Sequence, residues 1–585
     1  MKKVSIVMVV LVLASVTSQC PKVTAHSNNK VYVDDDKPDG TPDGSWENPF
    51  TTIMDGIRAV KEEDEKDTVC VLSGTYREHI MIKESLNLES KDGAIIEGGW
   101  IIITAEDKIN VNISGFTMQN SSEGIWLQHK AHATISGFII DNNTFWGIRL
   151  TGEASATIKD SIITGNGNGI QMGGGASATI TGSTLTGNHA NFYLWGEAQV
   201  TITGSTTMSG AEGVEIGIVL GEKARATITG STTISGNKVG IMLLSETHAT
   251  ITNSTISGNT EKGISLSGGA TTTITNSTIS ANVNEGVVLT DEAHATITSS
   301  TTISGNKVGI NMKVNASATI VKCIISANEI GIGGEAKSNA TVDECTIIKN
   351  RNEFKYKSEN TIHYGVHLSG EATAAIKNCT INENDIGVYL EGSATATINC
   401  CTIAGNKEFG VQNVTGEEID ATYNYWGHES GPSGPSANGE GDRVSSHVTF
   451  FPWREQPPTP FMRGVYSVFD LQHDTVDLYV RVVDENYSGM IYDIEILLED
   501  QMLPWDFVDG IKAPPGWSFE EIDDGLRFFT ETDPLLTCHL TRFRFRVQGE
   551  RIPLYMRVHV TDSEGRNMGI LISVMRWLYY NTYML

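Results

Sequence analysis

The chain has few basic residues and few prolines, and each shortage narrows what the protein can be. Its 42 Lys and Arg residues stand against 70 Asp and Glu residues, which leaves a formal net charge of −28. A nucleic-acid-binding surface needs clustered positive charge, so we expect no nucleic-acid partner. The 585 residues include 59 glycines but only 15 prolines, a composition typical of a large, acidic and turn-rich soluble protein.

Long apolar runs are also missing beyond the first residues, because none reaches the roughly 18 residues that a spanning helix needs. We therefore expect no transmembrane segment in the mature chain. The start differs: MKKVSIVMVVLVLASVTSQ joins two lysines to an apolar run and to small residues that suit cleavage, for example after Ser18 or Ala25. This order is typical of a secretory signal peptide, and it predicts a secreted or cell-surface, extracytoplasmic protein.

A short repeat fills most of the chain, and its anchor is the isoleucine of a recurring T-I pair. Successive anchors are mostly 22 or 23 residues apart, with steps of 26 before Ile228 and 34 before Ile376. So short a period predicts a solenoid, in which each unit buries its apolar face against its neighbours. The anchors are Ile135, Ile158, Ile180, Ile202, Ile228, Ile251, Ile274, Ile297, Ile320, Val342, Ile376 and Ile398.

Within one copy of the repeat, A-S-A-T-I-T alternates with a period of two. Ala176, Ala178 and Ile180 therefore point to one side of a strand, while the residues between them point to the other. A second strand, G-I-x-L, follows 11 or 12 residues later, and S-T-I lies between the two, so each coil has three short strands. One corner repeatedly carries asparagine, for which we predict a structural role in stacked amides. These residues are Asn166, Asn188, Asn237, Asn259, Asn282, Asn306, Asn328 and Asn406.

Residues 30 to 455 resemble the right-handed parallel β-helix proteins of the pectin-lyase-like superfold. The resemblance lies in the repeat, in the opening VYVDDDKPDGTPDGSWENPF and in the closing YNYWGHESGPSGPS. It implies a short amphipathic helix that caps the first coil, for which Ile53, Ile57 and Val60 have the spacing. It also implies a closing segment in which Trp426 and Trp453 cover the last coil. The fold carries many activities, so the resemblance does not assign one.

Residues 461–585 have no repeat, more aromatic residues and alternating runs such as VDLYVRVV and TRFRFRV. They predict a small antiparallel β-sandwich. The predicted fold class is therefore all-β, a right-handed parallel β-helix followed by a small antiparallel β-sandwich, and we expect a monomer. The predicted segments are a signal peptide at 1–25, an N-terminal cap with the first coils at 30–110, the β-helix with its closing segment at 111–455, and the sandwich at 461–585.

The outward position of G-I-x-L holds unusual side chains on four successive coils. Trp126, Arg149, Gln171 and Tyr193 occupy it, Trp195 lies at the strand end, and Trp146 lies on the neighbouring turn. Sugar faces stack on aromatic rings, and Arg and Gln offer planar donors to hydroxyls or uronate carboxylates. The column predicts a carbohydrate-binding platform, with ordinary sheet residues under a loop as the alternative.

Catalysis on this fold requires acids and bases on adjacent coils. The candidate cluster is Arg149 with His129, His132 and Glu153, and it matches no motif of a catalytic family. Three hypotheses stay open: a binder of polysaccharide or of a cell-envelope partner, a polysaccharide lyase or glycoside hydrolase acting on an acidic glycan, and a structural or adhesive scaffold.

Two acidic features raise the question of a bound cation. DDDKPDGTPDG places Asp34, Asp36, Asp39 and Asp43 in a glycine-punctuated loop, which fits either a structural Ca²⁺ site or a solvated turn. No other cofactor is indicated. The G-E turns stack carboxylates that a divalent cation or nearby basic residues would neutralise, and we favour a solvated turn. Consecutive coils carry Glu197, Glu222 and Glu246.

Two further columns have simple readings. Six coils present outward threonine pairs, from Thr179 with Thr181 to Thr296 with Thr298, which resemble the ice-binding face of β-solenoid antifreeze proteins; threonine is also a favourable outward β residue. A second column, three residues after the anchor, holds cysteines where other coils have Ser183, Ser205 or Ser254. We expect stacked small residues there, with disulfides between neighbouring coils as the alternative. The cysteines are Cys323, Cys345, Cys379 and Cys401.

Overall fold

The structure, a computed structural model, describes residues 30–36, 40–62, 67–210, 216–350 and 362–457, together with nine strands between 466 and 573. The predicted signal peptide at 1–25 lies outside the described residues. The chain forms a right-handed parallel β-helix and divides into two compact units, 1–166 and 167–585, which are described in turn. We call the G-I-x-L strands sheet I, the A-T-I-T strands sheet II and the S-T-I strands sheet III.

The first unit stacks its strands in parallel register, so that Ile80, Ile101, Ile125 and Ile148 follow one another along sheet I. Sheet I has strands Ile80–Ile82, Ile101–Ala105, Glu123–His129 and Trp146–Leu150. Sheet II has strands Lys30–Val33, Thr68–Val71, Leu86–Ser90, Asn110–Ser114, His132–Ser136 and Ser155–Lys159. Sheet III has strands Thr75–Tyr76, Ile95–Glu97, Thr117–Gln119, Ile139–Asp141 and Ile162–Thr164.

The second unit repeats the same three strands per coil. Sheet I has strands Asn168–Met172, Ala190–Leu194, Ile216–Leu220, Val239–Leu244, Lys262–Ser267, Glu285–Leu289, Val308–Met312, Ile330–Gly334, Tyr364–Leu368, Ile386–Leu390 and Phe409–Asn413. Sheet II has strands Ser177–Thr181, Gln199–Thr203, Arg225–Ile228, His248–Thr252, Thr271–Thr275, His294–Thr298, Ser317–Val321, Asn339–Asp343, Thr373–Lys377, Thr395–Asn399, Ile419–Asp420 and Val448–Thr449. Sheet III has strands Thr184–Thr186, Thr207–Ser209, Thr233–Ser235, Thr255–Ser257, Thr278–Ser280, Thr302–Ser304, Ile324–Ser326, Thr346–Ile348, Thr380–Asn382 and Thr402–Ala404.

The predicted inward and outward faces are confirmed. Every anchor of the T-I repeat is 0% exposed, and Ala176, Ala178 and Ile180 are buried while Ser177 and Thr179 are exposed. Because the side-chain period of a strand is two, this alternation places an apolar row on the core side of every coil. The outward positions are thereby left free to carry function.

The asparagine corner forms a hydrogen-bonded ladder, which confirms its predicted structural role. From Asn237 to Asn406, one side-chain oxygen in each step accepts both the backbone N–H and the amide N–H of the preceding rung, as Asn306 does from Asn282 at 3.0 Å for both donors. At Asn188 the ladder differs, because its amide donates to Asn191 at 2.9 Å. The ladder includes Asn350 and Asn384, which the repeat alignment omitted. It ends at Asp442, whose Oδ2 accepts from the backbone and side-chain nitrogens of Asn406 at 3.0 and 2.7 Å.

Both expected ends of the β-helix are present. The helix Ile53–Glu62 buries Ile53, Ile57 and Val60. The Glu78 carboxylate accepts the N–H groups of Ile53 and Met54 at 2.7 and 3.0 Å, which satisfies two donors at the first turn of this helix.

The closing segment contains a small sheet of Pro432–Gly434, Ala437–Asn438 and Gly441–Arg443. Trp426 is 0% exposed, and Trp453 Nε1 donates to the carbonyl of Glu429 at 3.1 Å. Within the described residues, no helix has the length and apolar character needed to cross a membrane.

The cysteine column is buried and stacked, as predicted for small inward residues. Cys323, Cys345, Cys379 and Cys401 are free thiols, so the alternative of disulfides between neighbouring coils is wrong. The assignment of Ser205 to this column is also wrong. Its coil is one residue longer at the corner, so Ser205 is exposed in a left-handed conformation and Thr206 takes the inward place.

The C-terminal strands are antiparallel, as predicted, and form two sheets. The first has Tyr466–Asp470, Thr475–Val480, Thr541–Gln548 and Asp506–Lys512; the second has Ser518–Ile522, Gly525–Phe529, Ile491–Leu497, Tyr555–Asp562 and Asn567–Ser573. Packing of these sheets into a sandwich stays a prediction, because most of their side chains lie outside the described residues.

Candidate functional site

Two tryptophans and an arginine form one cluster on sheet I of the first unit. Trp126 lies on the strand Glu123–His129, Trp146 and Arg149 lie on the next strand, and Trp126 is directly opposite Arg149 in the register. Their inward neighbours, such as Ile125 and Ile148, are 0% exposed. Alternation along the strand therefore turns Trp126 and Arg149 outward. We call Trp126, Trp146 and Arg149 the Arg149 cluster.

The guanidinium of Arg149 is held by aromatic rings. Its Cζ lies 4.8 Å from the Trp126 ring centroid and 4.4 Å from that of Trp146, both within cation–π distance. Trp126 Nε1 donates to the hydroxyl of Thr151 at 3.0 Å, which fixes one indole. Phe145 lies 5.6 Å from Trp146 and is 54% exposed, so the cluster continues into an apolar surface.

Polar atoms of this cluster lack hydrogen-bond partners. Arg149 Nε and Trp146 Nε1 are both buried without an acceptor among the described residues. No described carboxylate lies within ion-pair distance of Arg149 either. A positive, planar donor group next to two rings, without an ion pair to a described carboxylate, suits a ligand that combines an apolar face with an anionic or hydroxyl group.

The other three predicted platform residues lie together in the second unit. Gln171 is directly opposite Tyr193 in the register, and Tyr193 is 40% exposed. Its ring centroid lies 5.9 Å from that of Trp195. The Trp195 indole lies so close to Gly173 that a Cβ there would collide with it. Gly173 therefore provides the space that the Trp195 ring occupies.

The predicted catalytic residues do not form one constellation. Arg149 lies on sheet I, whereas His132 begins a sheet II strand and its Nδ1 is 2.8 Å from the Ser155 hydroxyl. Burial, with a smaller effect of the Lys108 charge, lowers the pKa of His132. His129 is the exposed last residue of a sheet I strand and Glu153 is an exposed turn residue, and the Glu153 N–H donates to the His129 carbonyl at 2.8 Å. This arrangement brings no acid and base together at Arg149.

Two aspartates of the acidic loop accept hydrogen bonds from backbone N–H groups within local turns. Asp34 Oδ1 accepts the N–H of Asp36 at 3.2 Å, and Asp43 Oδ1 accepts the N–H of Ser45 at 2.9 Å. Hydrogen bonds from Ser45 lower the pKa of Asp43. Asp39 lies outside the described residues. Among the residues that the structure describes, no three His, Cys, Asp or Glu side chains are grouped as metal ligands would be.

The threonine columns of sheet II are in register, as the alternation predicts. Threonine hydroxyls on adjacent coils form hydrogen bonds with each other, as between Thr181 and Thr203 at 2.9 Å. His248 Nδ1 is hydrogen-bonded to the Thr271 hydroxyl at 2.8 Å, and His248 Nε2 to the Thr250 hydroxyl at 3.1 Å. Imidazoles therefore interrupt the uniform hydroxyl surface, and the ice-binding interpretation stays an untested prediction.

A second aromatic cluster on sheet I was missed from the sequence. Tyr364 and His367 lie on one strand and Tyr389 on the next, where it is directly opposite His367. The three ring centroids are 4.8 to 5.2 Å apart. His367 Nε2 lies 3.0 Å from Glu391 Oε1. We call Tyr364, His367, Tyr389 and Glu391 the Tyr389 cluster.

The signal for the Tyr389 cluster was present in the repeat. Y-G-V-H-L and I-G-V-Y-L are copies of the G-I-x-L strand, and their outward positions are His367 and Tyr389. Reading the outward column beyond Tyr193 would have found both residues.

Comparison with known proteins agrees with the architecture. The family model "Right handed beta helix region" matches residues 99–217, 146–287, 216–364 and 262–425, so the matches span more than half of the chain. The chain belongs to this family of right-handed β-helix proteins. No curated protein matches it significantly.

Among solved structures, the chain is similar to the periplasmic alginate epimerase AlgG, with 11% identity, a TM-score of 0.29, and coverage of 65% of this chain and 77% of that one. It is also similar to the pectate lyase Pel9A, with 15% identity, a TM-score of 0.28, and coverage of 52% and 79%. The catalytic domain of GH87 α-1,3-glucanase in complex with nigerose gives 11% identity, a TM-score of 0.24, and coverage of 52% and 63%. These similarities are in fold alone.

Proposed function

We propose that this protein is an extracytoplasmic β-helix protein that binds an acidic polysaccharide through the Arg149 cluster. The observation that carries the proposal is the position of the Arg149 guanidinium between the Trp126 and Trp146 rings, without a carboxylate partner among the described residues. A pyranose stacks its C–H face on an indole, and a guanidinium pairs with a carboxylate through two parallel hydrogen bonds. A uronate residue offers both groups at once.

The chain charge of −28 does not prevent such binding. At an ionic strength of 0.15 M the Debye length is about 8 Å, so distant carboxylates are largely screened while a direct contact to Arg149 is not. Gln171, Tyr193 and Trp195 are proposed as further sugar contacts, because an exposed phenol and a flat indole next to an amide have the same combination of groups. The apolar N-terminal run of residues 1–19 supports an extracytoplasmic location. A cell-envelope glycan would be the partner.

The test is a binding titration with oligogalacturonate, oligomannuronate and a neutral glucan, at about 0.15 M ionic strength. Wild-type protein binds an acidic oligosaccharide, Trp126→Ala loses at least about tenfold in affinity, and the control Met242→Ala on another sheet I strand does not change it. Equal affinity of Trp126→Ala and wild type would refute the proposed site. Ultraviolet absorbance from unsaturated uronates in the same samples would instead indicate a lyase.

A further inference from the structure

The Tyr389 cluster has the features of a ligand-binding surface that the Arg149 cluster does not share. Its three rings belong to adjacent coils and make a continuous aromatic surface, with centroid separations of 4.8 Å for Tyr364 to His367, 5.1 Å for Tyr364 to Tyr389 and 5.2 Å for His367 to Tyr389. All three side chains are partly exposed. Rings tilted against one another in this way expose faces and edges on which an apolar sugar face can pack.

The Glu391 carboxylate lies at the polar edge of this surface. Glu391 Oε1 lies 3.0 Å from His367 Nε2, and Glu391 Oε2 lies 3.5 Å from the Tyr389 hydroxyl. Burial raises the pKa of Tyr364 and of Tyr389, and nearby negative charge adds to the effect. Both phenols therefore stay protonated at neutral pH; the Tyr364 hydroxyl can donate to a ligand hydroxyl, whereas the Tyr389 hydroxyl donates to Glu391 and can accept from the ligand.

The outward column around the cluster combines amides with aromatic rings. Reading along the coils, the positions are Asn311, Gly333, His367, Tyr389 and Gln412. Gly333 has no side chain, and a Cβ there would lie 3.3 Å from Asn311 Oδ1 and 3.6 Å from Val308 Cγ1, so the Asn311 amide and the Val308 side chain are its described neighbours. At about 4.8 Å per coil the column is about 19 Å long, with the partly exposed Gln412 amide at one end, the buried Asn311 amide at the other and the rings between them. Amides and aromatic rings are the groups that recognise sugar hydroxyls and sugar faces.

Two described carboxylates, those of Glu391 and Glu408, lie close to the rings of the Tyr389 cluster. Glu391 and Glu408 both raise the pKa of Tyr364 through their charge. Among the described residues, Lys407 Nζ lies 4.0 Å from Asp385 Oδ1, so this ammonium already has a carboxylate partner. A uronate carboxylate placed beside Glu391 would meet like charge, whereas a neutral sugar would not.

We infer that the Tyr389 cluster is a second saccharide-binding site and that it takes sugars without a carboxylate. The inference rests on the proposed glycan-binding function and adds a second ligand class at strands that contribute nothing to the Arg149 cluster. Tyr364, His367 and Tyr389 supply the stacking surface, and Glu391 and the protonated phenols supply the hydrogen bonds. The protein thereby holds two chemically different glycans, or a heteropolymer with acidic and neutral segments.

The experiment titrates full-length protein with a neutral glucose hexasaccharide and, separately, with a galacturonate hexasaccharide. We expect Tyr389→Ala to weaken the neutral ligand by about tenfold or more and to leave the acidic ligand unchanged. Trp126→Ala should give the opposite pattern. Met242→Ala, at the same outward position on a strand without aromatic neighbours, is the matched control and should change neither. Tyr364→Ser carries the same expectation should Tyr389→Ala fail to fold.

A wild-type protein that binds no neutral hexasaccharide would overturn the inference, and so would a folded Tyr389→Ala variant that binds it with wild-type affinity. Either result leaves acidic-glycan binding at Trp126 intact, so it is distinguishable from failure of the proposed function. The Glu391→Gln variant tests the role of charge. It should still bind the neutral ligand. In the double variant with Trp126→Ala, it should also allow the galacturonate ligand to bind at the Tyr389 cluster.

Discussion

Arg149 lies over the ring of Trp146, with its guanidinium carbon 4.4 Å from the ring centroid. The contact fixes the plane of the guanidinium by stacking rather than by an ion pair, so its positive charge is available to a ligand. A lone outward arginine on a sheet would be mobile and hydrated. Between two indoles, Arg149 is held in one orientation and is partly desolvated at Nε.

The first prediction concerns this stacking. Arg149→Lys keeps the charge but loses the planar fork, so we expect it to bind an acidic oligosaccharide about 3- to 30-fold more weakly than wild type. Arg149→Ala should be weaker still. The measurement is isothermal titration of both variants, with thermal unfolding as the control for folding. Equal binding by the lysine variant would show that only the charge matters.

The second prediction concerns the asparagine ladder. Asn306→Ala removes the acceptor for two donors of Asn282, and each buried donor left without a partner costs about 1–3 kcal/mol. We expect a clearly lower thermal midpoint than for wild type. Asn110→Ala, which alters an exposed strand residue, should change the midpoint little. A thermal midpoint for Asn306→Ala within error of that of Asn110→Ala would contradict a stabilising role for the ladder.

The third prediction concerns pH and Asp442. Burial raises the pKa of Asp442 despite its hydrogen bonds from Asn406 and Gly405. A carboxyl with a folded-state pKa above its unfolded value binds protons more tightly when folded. Its contribution to stability is therefore greatest below the unfolded pKa and falls as pH rises through the folded pKa. We expect the difference in unfolding free energy between Asp442→Asn and wild type to shift in favour of the variant as pH rises from about 4 to about 7, measured by denaturant unfolding. A pH-independent difference would contradict the shift.

The fourth prediction concerns the buried thiols. Cys323, Cys345, Cys379 and Cys401 are at most 1% exposed, so a thiol reagent should not label them in the native protein and should label all four after denaturation. Burial, with the Glu89 carboxylate, raises the pKa of Cys70 to about 12, so it should also react slowly. The measurement is mass spectrometry of alkylated peptides. Fast native labelling of Cys345 would contradict the packing of this column.

Much of the fold was predictable because every coil buries the same positions of the repeat. Ile180 and Ile202 are buried for the same reason, and the corner asparagines stack because a solenoid places them one strand spacing apart. The failures lie where one coil departs from the repeat. An extra residue moved Ser205 outward and Thr206 inward, and no local pattern marks Asp442 as the last rung of the ladder.

The site was predictable only in part. The sequence gives the strand positions of Trp126 and Arg149, so their adjacency follows from the register. It does not give the sheet to which a nearby residue belongs, and His132 was grouped with Arg149 although it lies on another sheet. The Tyr389 cluster shows the converse, because His367 and Glu391 are 24 residues apart and meet only through the coil stacking.

The most direct test of the account is a crystal structure of the protein with an oligogalacturonate. We predict one pyranose stacked on Trp126 or Trp146 with its carboxylate at hydrogen-bonding distance from the Arg149 guanidinium. Oligosaccharide density elsewhere on the β-helix, with the Arg149 cluster free of ligand at saturating concentration, would contradict it.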